Sequence, residues 1–125
     1  MHPTVTPACI LVVEDETFIR MDAVEIIRAA GFDILEATNA DQAIRMLELH
    51  SSIQLIFTDI DMPGSMNGLR LVAAVRDGWP PVKIIATSGY FKVKAGDLPS
   101  DARFISKPYQ PAQLISAIRE LTAAA

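Results

Sequence analysis

Short apolar runs alternate along the chain with longer stretches in which apolar residues recur every three or four positions. Each run is short, rich in isoleucine or valine and mostly apolar on both sides of the chain, which is typical of parallel strands covered on both faces. The predicted strands are Ala8–Val13, Phe32–Ala37, Ile53–Thr58, Val82–Thr87 and Ala102–Ser106.

The stretches between the runs have the periodicity of amphipathic helices. Gly31 follows the first of them and favours the left-handed conformation in which helices end. Asn39 is a good N-cap for the second, and Pro111 suits the first turn of the last. The predicted helices are Ile19–Ala30, Asn39–Leu49, Leu69–Gly78 and Pro111–Leu121.

This alternation predicts an α/β protein with a doubly wound parallel sheet, helices on both faces and right-handed crossovers. The crossover between the fourth and fifth strands breaks the pattern. Within Tyr90–Pro99 the apolar residues alternate instead of forming a helical stripe. Gly96 disfavours a helix interior, and Pro99 disfavours helix at the preceding residue. We therefore expect this fourth helix to be short or irregular.

Composition narrows the possible functions. The 125 residues are half hydrophobic and carry a formal net charge of −4, which fits one domain and argues against a nucleic-acid surface, because such a surface needs basic residues. The single cysteine, Cys9, excludes a disulfide framework and indicates a reducing compartment. No apolar run approaches the ~20 residues of a membrane span, and no signal peptide is visible. The composition predicts a cytoplasmic protein with no membrane or nucleic-acid partner.

Three acids, Glu14, Asp15 and Glu16, follow the first strand directly. Two close carboxylates repel each other by roughly 4 kcal/mol at an effective dielectric constant near 20. A solvated helix start would explain Glu16, because acids favour helix N-termini, but it explains Glu14 poorly. Either a positive group or water is therefore expected beside these acids.

Ligands of a doubly wound sheet bind outside the carboxyl ends of its strands. The third strand brings Asp59 and Asp61 to that edge, the fourth brings Thr87, and the fifth brings Lys107. Carboxylates with one hydroxyl and one ammonium group suit a hard cation and a phosphoryl group, and Mg²⁺ prefers oxygen ligands. A shared cation, with Lys107 as a second counter-charge, would allow the acids to lie together.

These strand ends resemble those of the receiver domain of response regulators in two-component signalling. The matching segments are VVEDE, FTDIDMPG, IIATSG and FISKP, and the match covers nearly all of the chain. The resemblance implies a flavodoxin-like sheet in the order 2-1-3-4-5 and a cis Lys107–Pro108 bond. Because the chain ends shortly after the last helix, we expect a stand-alone receiver domain over residues 1–125, with residues 1–7 as a tail.

The resemblance also implies a role for each matching residue. Asp59 corresponds to the phosphoacceptor, so the protein would modify itself rather than act as an enzyme on a separate substrate. Thr87 and Lys107 correspond to the hydroxyl and the ammonium group that contact the phosphoryl group. Thr87 and the aromatic Phe104 correspond to the switch residues that move on phosphorylation.

The cofactor and the partners follow from the same resemblance. The phosphoryl donor would be a sensor histidine kinase or a phosphotransfer protein, and the output would be a downstream protein target. Mg²⁺, or Mn²⁺ in its place, would be bound by Glu14, Asp15, Asp59 and the backbone carbonyl of Asp61.

Three features of the sequence depart from the family pattern or allow two interpretations. The loop in DMPGSMNG is one residue longer than the family pattern, at Gly64 or Ser65. Asp61 is either a plain loop acid or a group that tunes the rate of phosphoryl transfer. The apolar residues of the first helix, Phe18, Met21 and Val24, are expected in the core, with a kinase-docking surface as the alternative.

Two other functions remain possible. Asp59 and Asp61 also resemble the D-x-D motif of haloacid-dehalogenase-type phosphohydrolases, although that motif belongs on a first strand in a larger chain. A pseudo-receiver, which binds partners without being phosphorylated, would have the same fold, but it should lack an acid or the lysine, and none is missing here.

Overall fold

A computed structural model of the protein describes residues 7–62, 67–89, 93–94 and 96–123. The extra loop residue expected at Gly64 or Ser65 lies outside this part. No helix among the described residues is long and apolar enough to cross a bilayer. The elements are the strands β1 (Cys9–Val13), β2 (Asp33–Ala37), β3 (Ile53–Asp59), β4 (Lys83–Ser88) and β5 (Arg103–Ser106), and the helices α1 (Thr17–Ala29), α2 (Ala40–Leu49), α3 (Gly68–Gly78) and α4 (Pro111–Thr122).

The strands form one parallel sheet in the order β2-β1-β3-β4-β5, as predicted. Helices cover both of its faces. α2 and α3 pack over a core that includes Leu11 and Ile56, and α1 and α4 pack over Val12 and Phe57 on the other face. Successive strand residues point to opposite faces, so the apolar runs are buried along most of their length, and Cys9 is buried with them.

Helix α1 differs from its prediction at two residues. Val24 is buried, but Phe18 and Met21 are exposed, so the expectation that all three belong to the core was wrong. The helix turns Ala23, Val24 and Ile27 towards the sheet. At 100° per residue this places Phe18 on the far side of the helix and Met21 outside the buried stripe. Two large apolar side chains therefore face solvent.

One residue is bulged out at the start of β3. Cys9 pairs with Ile53, but Ile10 pairs with Leu55, so Gln54 has no partner on β1. A bulge of this kind shifts the register by one residue and exchanges the two faces of the strand. The register of β1 and β3 then runs without a further shift to the ends of the two strands.

Helix α3 begins directly behind the end of β3. Asn67 caps it, because the Asn67 side chain accepts a hydrogen bond from the backbone N of Arg70 at 2.9 Å. At Gly68 a Cβ atom would lie 2.6 Å from the carbonyl oxygen of Asp59 and closer still to the Cα of Ile60. Only glycine therefore fits here without displacing the end of β3.

The connection from β4 to β5 contains no helix in its described part, which agrees with the expected irregular segment. Residues 90–92 and 95 of that segment lie outside the described residues. Asp97 closes a turn, because its side chain accepts from the backbone N of Lys94 at 2.7 Å and its own N–H donates back to the Lys94 carbonyl at 3.0 Å. Leu98 packs against the core under α2 and α3.

Candidate functional site

The carboxyl ends of β1, β3 and β4 bring three of the predicted site residues together. Val13 pairs with Thr58, so Glu14 follows beside Asp59, and Asp59 pairs with Thr87 on β4. Glu14 and Asp59 are each 4% exposed and Thr87 is 2% exposed. Two neighbouring buried carboxylates need a compensating charge, because an unpaired buried charge is costly.

Lys107 supplies that charge. Its Nζ donates to Glu14 Oε1 and to Asp59 Oδ2, both at 2.9 Å. The side chain arrives from the end of β5, where the Lys107–Pro108 bond is cis, as predicted. Burial lowers the pKa of Lys107, but the hydrogen bonds to Asp59 and Glu14 outweigh burial and leave the pKa above its usual value. Lys107 is therefore charged at neutral pH.

Glu14 is the acid whose ionisation is most strongly opposed. Burial raises the pKa of Glu14 to about 7, and the charge of Asp59 raises it as well. The hydrogen bond from Lys107 and that from the backbone N of Glu16, at 3.2 Å, act in the opposite direction without overcoming burial. Glu14 therefore exchanges a proton near neutral pH when no further cation is present.

Glu14, Asp15 and Asp59 fit a single hard cation. One carboxylate oxygen from each lies within 4.8 Å of the other two, close to the about 4.2 Å between opposite ligands of one Mg²⁺ ion. Asp15 is exposed, so the group opens to solvent, which suits an ion that keeps several water ligands. Three ionised carboxylates and one ammonium group leave two negative charges, which a divalent cation balances.

Asp61 connects the loop after β3 to the loop after β4. Its backbone N donates to Asp59 Oδ1 at 2.9 Å. Its Oδ2 accepts from Ser88 Oγ at 2.6 Å and from the backbone N of Gly89 at 3.0 Å. The carboxylate of Asp61 thus links the loop after β3 to Ser88 and Gly89, the two residues that follow Thr87.

Thr87 is held by its backbone and not by its side chain. Its carbonyl oxygen accepts from the backbone N of Ile60 at 2.9 Å, whereas the buried Oγ1 has no hydrogen-bond partner among the described residues. An unsatisfied buried hydroxyl costs about 1–3 kcal/mol, so a ligand that bonds it would be stabilised. Phe104, the other predicted switch residue, is half-buried on β5 and pairs with Ala86.

Two further residues at the site were not predicted from the sequence. Tyr109 meets the ring of Phe57 edge-on, with centroids 5.7 Å apart, and burial raises the pKa of Tyr109 to about 12. The aromatic position two residues after Lys107 could have indicated it. Arg20 donates from Nη1 to the backbone carbonyl of Glu14 at 2.9 Å. No local pattern signals this contact, because it depends on how α1 packs beside β1.

A cavity of about 640 Å³ opens beside these side chains, between α1 and the turn after β5. Its lining contains five carboxylates and one ammonium group, so it favours a ligand or partner that brings positive charge. The lining residues are Asp15, Glu16, Ile19, Asp22, Asp59, Asp61, Gly89, Lys107, Pro108 and Tyr109.

Comparison with known families gives one match that covers most of the chain. The model of the response regulator receiver domain matches residues 10–119. The match begins within β1 and ends within α4, so it includes every strand end described above.

Curated relatives lead to the same family. The response regulator receiver protein CpdR of Brucella abortus is 30% identical, over 93% of this chain and 98% of its own. The chemotaxis protein CheY of Thermotoga maritima is 33% identical, over 90% and 96% respectively. The sensor kinase CckA of Brucella abortus is 33% identical over 91% of this chain, but the chain spans only 12% of that protein's length.

Solved structures have the same fold. A response regulator receiver protein from Sinorhizobium medicae superposes with a TM-score of 0.86 at 28% identity, over 92% of this chain and 94% of its own. A response regulator receiver protein from Pseudomonas putida superposes with a TM-score of 0.84 at 26% identity, over 94% of this chain and 99% of its own.

Proposed function

The chain belongs to the receiver-domain family of two-component response regulators, and on that premise we propose that Asp59 accepts a phosphoryl group from a phosphohistidine. The donor is a sensor histidine kinase or a phosphotransfer protein. The phosphorylated protein then binds a downstream protein target or passes the group on, and it works in the cytoplasm. It is a self-modifying acceptor rather than an enzyme with a separate substrate.

One observation carries this proposal. The Asp59 carboxylate is buried at a strand end, 2.9 Å from the ammonium group of Lys107, and within reach of two further acids. A purely structural aspartate at a strand end would not need both a partly buried lysine and an acid pair. An acceptor needs them, because phosphoryl transfer depends on positioning and on charge stabilisation.

The contacts of Asp59 suit it to in-line attack. Lys107 and the backbone N of Asp61 each hold one of its carboxylate oxygens. One oxygen forms a bond to phosphorus as the P–N bond to the donor imidazole breaks, and the released imidazole nitrogen takes a proton from solvent. Lys107, which already donates to the Asp59 carboxylate, then stabilises charge on the phosphoryl oxygens. The Thr87 hydroxyl, which has no partner among the described residues, would gain one in the phosphoryl group.

Glu14, Asp15, Asp59 and the backbone carbonyl of Asp61 would hold Mg²⁺ or Mn²⁺, which would supply further positive charge beside the transferring group. Ligand carboxyls must be ionised to bind a metal. Since the pKa of Glu14 is raised to about 7, metal affinity should fall as the pH drops below that value.

The exposed side of α1 supports the docking alternative for its apolar residues. Phe18 and Met21 face solvent on the helix that lines the acidic cavity with Ile19 and Asp22. A donor whose phosphohistidine enters this cavity would cover that side of α1. Binding of the kinase through Phe18 and Met21 is therefore part of the proposal.

The output is proposed to depend on Thr87 and Phe104. When Thr87 turns towards the phosphoryl group, the ring of Phe104 moves into the space that it leaves. The connection between β4 and β5 would then report phosphorylation by becoming ordered, rather than by shifting a preformed helix. Amide exchange measured with and without phosphorylation tests this, because a helix already protected in the unmodified protein would contradict it.

The phosphohydrolase alternative requires Asp61 to act as a general acid. Its carboxylate instead accepts hydrogen bonds from Ser88 and Gly89, which favours the ionised form. Sustained turnover of an aryl phosphate would nevertheless support that function over ours.

The decisive test is labelling with acetyl phosphate and Mg²⁺, read by intact mass. The wild-type protein should gain one phosphoryl group, and D59N should gain none. D61N is the matched control, because it neutralises a neighbouring carboxylate of the same cavity and should still be labelled. Undiminished labelling of D59N would show that another residue is the acceptor. The absence of labelling in the wild type would favour a pseudo-receiver.

A further inference from the structure

Arg20 is an unusually buried arginine. Its side chain is 15% exposed although it lies only one turn into α1, whereas arginine is mostly exposed unless it is paired. Two partners of Arg20 lie among the described residues. Nη1 donates to the backbone carbonyl of Glu14 at 2.9 Å, and Nε donates to Glu36 Oε1 on β2 at 3.2 Å. One guanidinium group therefore links α1, the end of β1 and β2.

The carbonyl that Arg20 binds belongs to the peptide group between Glu14 and Asp15. The N–H on the other side of Glu14 donates to the Ala37 carbonyl on β2 at 3.1 Å. Glu14 is thus fixed from both sides, by β2 at its N–H and by Arg20 at its carbonyl. Because a peptide group is planar, fixing this carbonyl also fixes the direction in which the chain enters Asp15.

Asp15 is the acid for which this matters most. Glu14 and Asp59 are buried and bonded to Lys107, but Asp15 is exposed, and its carboxylate still lies within 4.8 Å of the other two. We infer that Arg20 is a positioning residue, which orients the Glu14–Asp15 peptide so that both carboxylates converge with that of Asp59 on one divalent cation. This inference rests on the proposed function.

Orientation and charge make opposite predictions here. Arg20 is itself positive, so if it acted only through its charge it would repel a cation, and its removal would tighten Mg²⁺ binding. If it positions the acid pair, its removal weakens binding. Residues that orient metal ligands through hydrogen bonds typically change metal affinity by about 10–100-fold when they are replaced. The sign of the effect alone therefore separates the two roles.

The experiment is Mg²⁺ titration by calorimetry at pH 8, with thermal unfolding of each variant as a check on folding. R20Q should weaken Mg²⁺ binding by about 10-fold or more. R20K keeps the charge but loses the two-pronged geometry, so it should also bind more weakly than wild type. R28Q is the matched control, because it removes the same charge from the last turn of α1 and should change the affinity less than about 2-fold.

A second variant covers the case in which R20Q does not fold. E36Q keeps Arg20 but weakens its anchor on the half-exposed side chain of Glu36, and it should lower Mg²⁺ affinity by a few-fold. Unchanged or tighter binding in R20Q, or in E36Q if R20Q is unfolded, would overturn the inference while leaving the proposed function intact. A wild-type protein that binds no Mg²⁺ would overturn both.

Discussion

The ends of β3 and β4 lie side by side, and yet they are built in different ways. At the end of β3 both carboxylate oxygens of Asp59 are bonded, and Gly68 presses against the backbone behind them. At the end of β4 the Thr87 hydroxyl is just as buried but lacks a partner among the described residues. Gly89, two residues after Thr87, has room for a Cβ atom at ordinary van der Waals distance from its neighbours.

This difference separates a fixed half of the site from an adjustable half. If Asp59 is the acceptor, as proposed, it has to hold its position while phosphorus approaches, and tight packing with full hydrogen bonding provides that. In the proposed switch, Thr87 changes its contacts once a phosphoryl group is present, and an unsatisfied hydroxyl lowers the cost of leaving the initial arrangement. The contact of Asp61 with Ser88 and Gly89 joins the two halves.

The largest expected effect comes from adding one methyl group behind each strand end. G68A should lose about 3 kcal/mol of unfolding free energy, because its Cβ overlaps backbone atoms that cannot move aside. G89A should change stability by less than about 0.5 kcal/mol, since its Cβ would lie 3.6 Å from the nearest atom, Lys107 Cβ. Urea unfolding measures both. Equal losses would mean that the two strand ends are equally tight.

The second effect is a dependence of stability on pH, and it arises from Glu14, which lies beside Asp59 in the fixed half of the site. The pKa of Glu14 is about 7 in the folded protein and near 4.5 in the unfolded chain, so the folded state binds this proton more tightly. Stability should therefore fall as the pH rises from about 4.5 to 7. Below this window both states are protonated, and above it both are ionised.

Unfolding of the wild type and E14Q across this pH range isolates the contribution of Glu14. Other acids act in the opposite direction, as Glu120 does, whose pKa is lowered by its hydrogen bond with Arg103. Subtracting the unfolding free energy of E14Q from that of the wild type removes the influence of these other acids. The fall of wild-type stability with rising pH should disappear when saturating Mg²⁺ is added, because a bound cation favours the ionised form of Glu14. A difference that does not vary between pH 4.5 and 7 would show that Glu14 is ionised throughout.

The smallest effect is a difference in stability between valine substitutions at two threonines of the site, Thr87 and Thr58. T87V should gain about 1 kcal/mol of unfolding free energy, because it removes a buried hydroxyl that has no partner in the described part of the chain. T58V should lose about 1 kcal/mol of unfolding free energy, because the Thr58 hydroxyl donates a hydrogen bond to the Asp59 carbonyl at 3.0 Å. Thermal or urea unfolding tests this, because the two substitutions should change stability in opposite directions. A loss in T87V would mean that its hydroxyl is satisfied in solution.

Most of the fold was predictable from the sequence, because strands buried on both faces leave an unbroken apolar run in the chain. β1 and β4 are clear cases, and all the predicted strand boundaries lie within one residue of those observed. The irregular crossover was predictable as well, since glycine and proline act locally. Phe18 and Met21 were misplaced, because periodicity identifies a helix more reliably than it identifies which side of it is covered.

The candidate site was predictable only in outline. The topology of a parallel sheet places Glu14, Asp59 and Lys107 at one edge, whatever the side chains do there. The raised pKa of Glu14 and the contacts of Arg20 depend on packing between elements that are distant in sequence. No motif within the chain encodes them. The roles assigned to Asp59, Thr87 and Phe104 remain predictions until they are tested.

The bulge at Gln54 also bears on how this chain can change in length over evolution. Gln54 is the residue that β1 bypasses, so its deletion would leave the register from Leu55 onward as it is, and Asp59 would still lie beside Glu14. A deletion between Leu55 and Asp59 would turn Asp59 to the other face of the sheet. The chain can therefore lose one residue at the base of β3 without disturbing the acids at the opposite end of the strand.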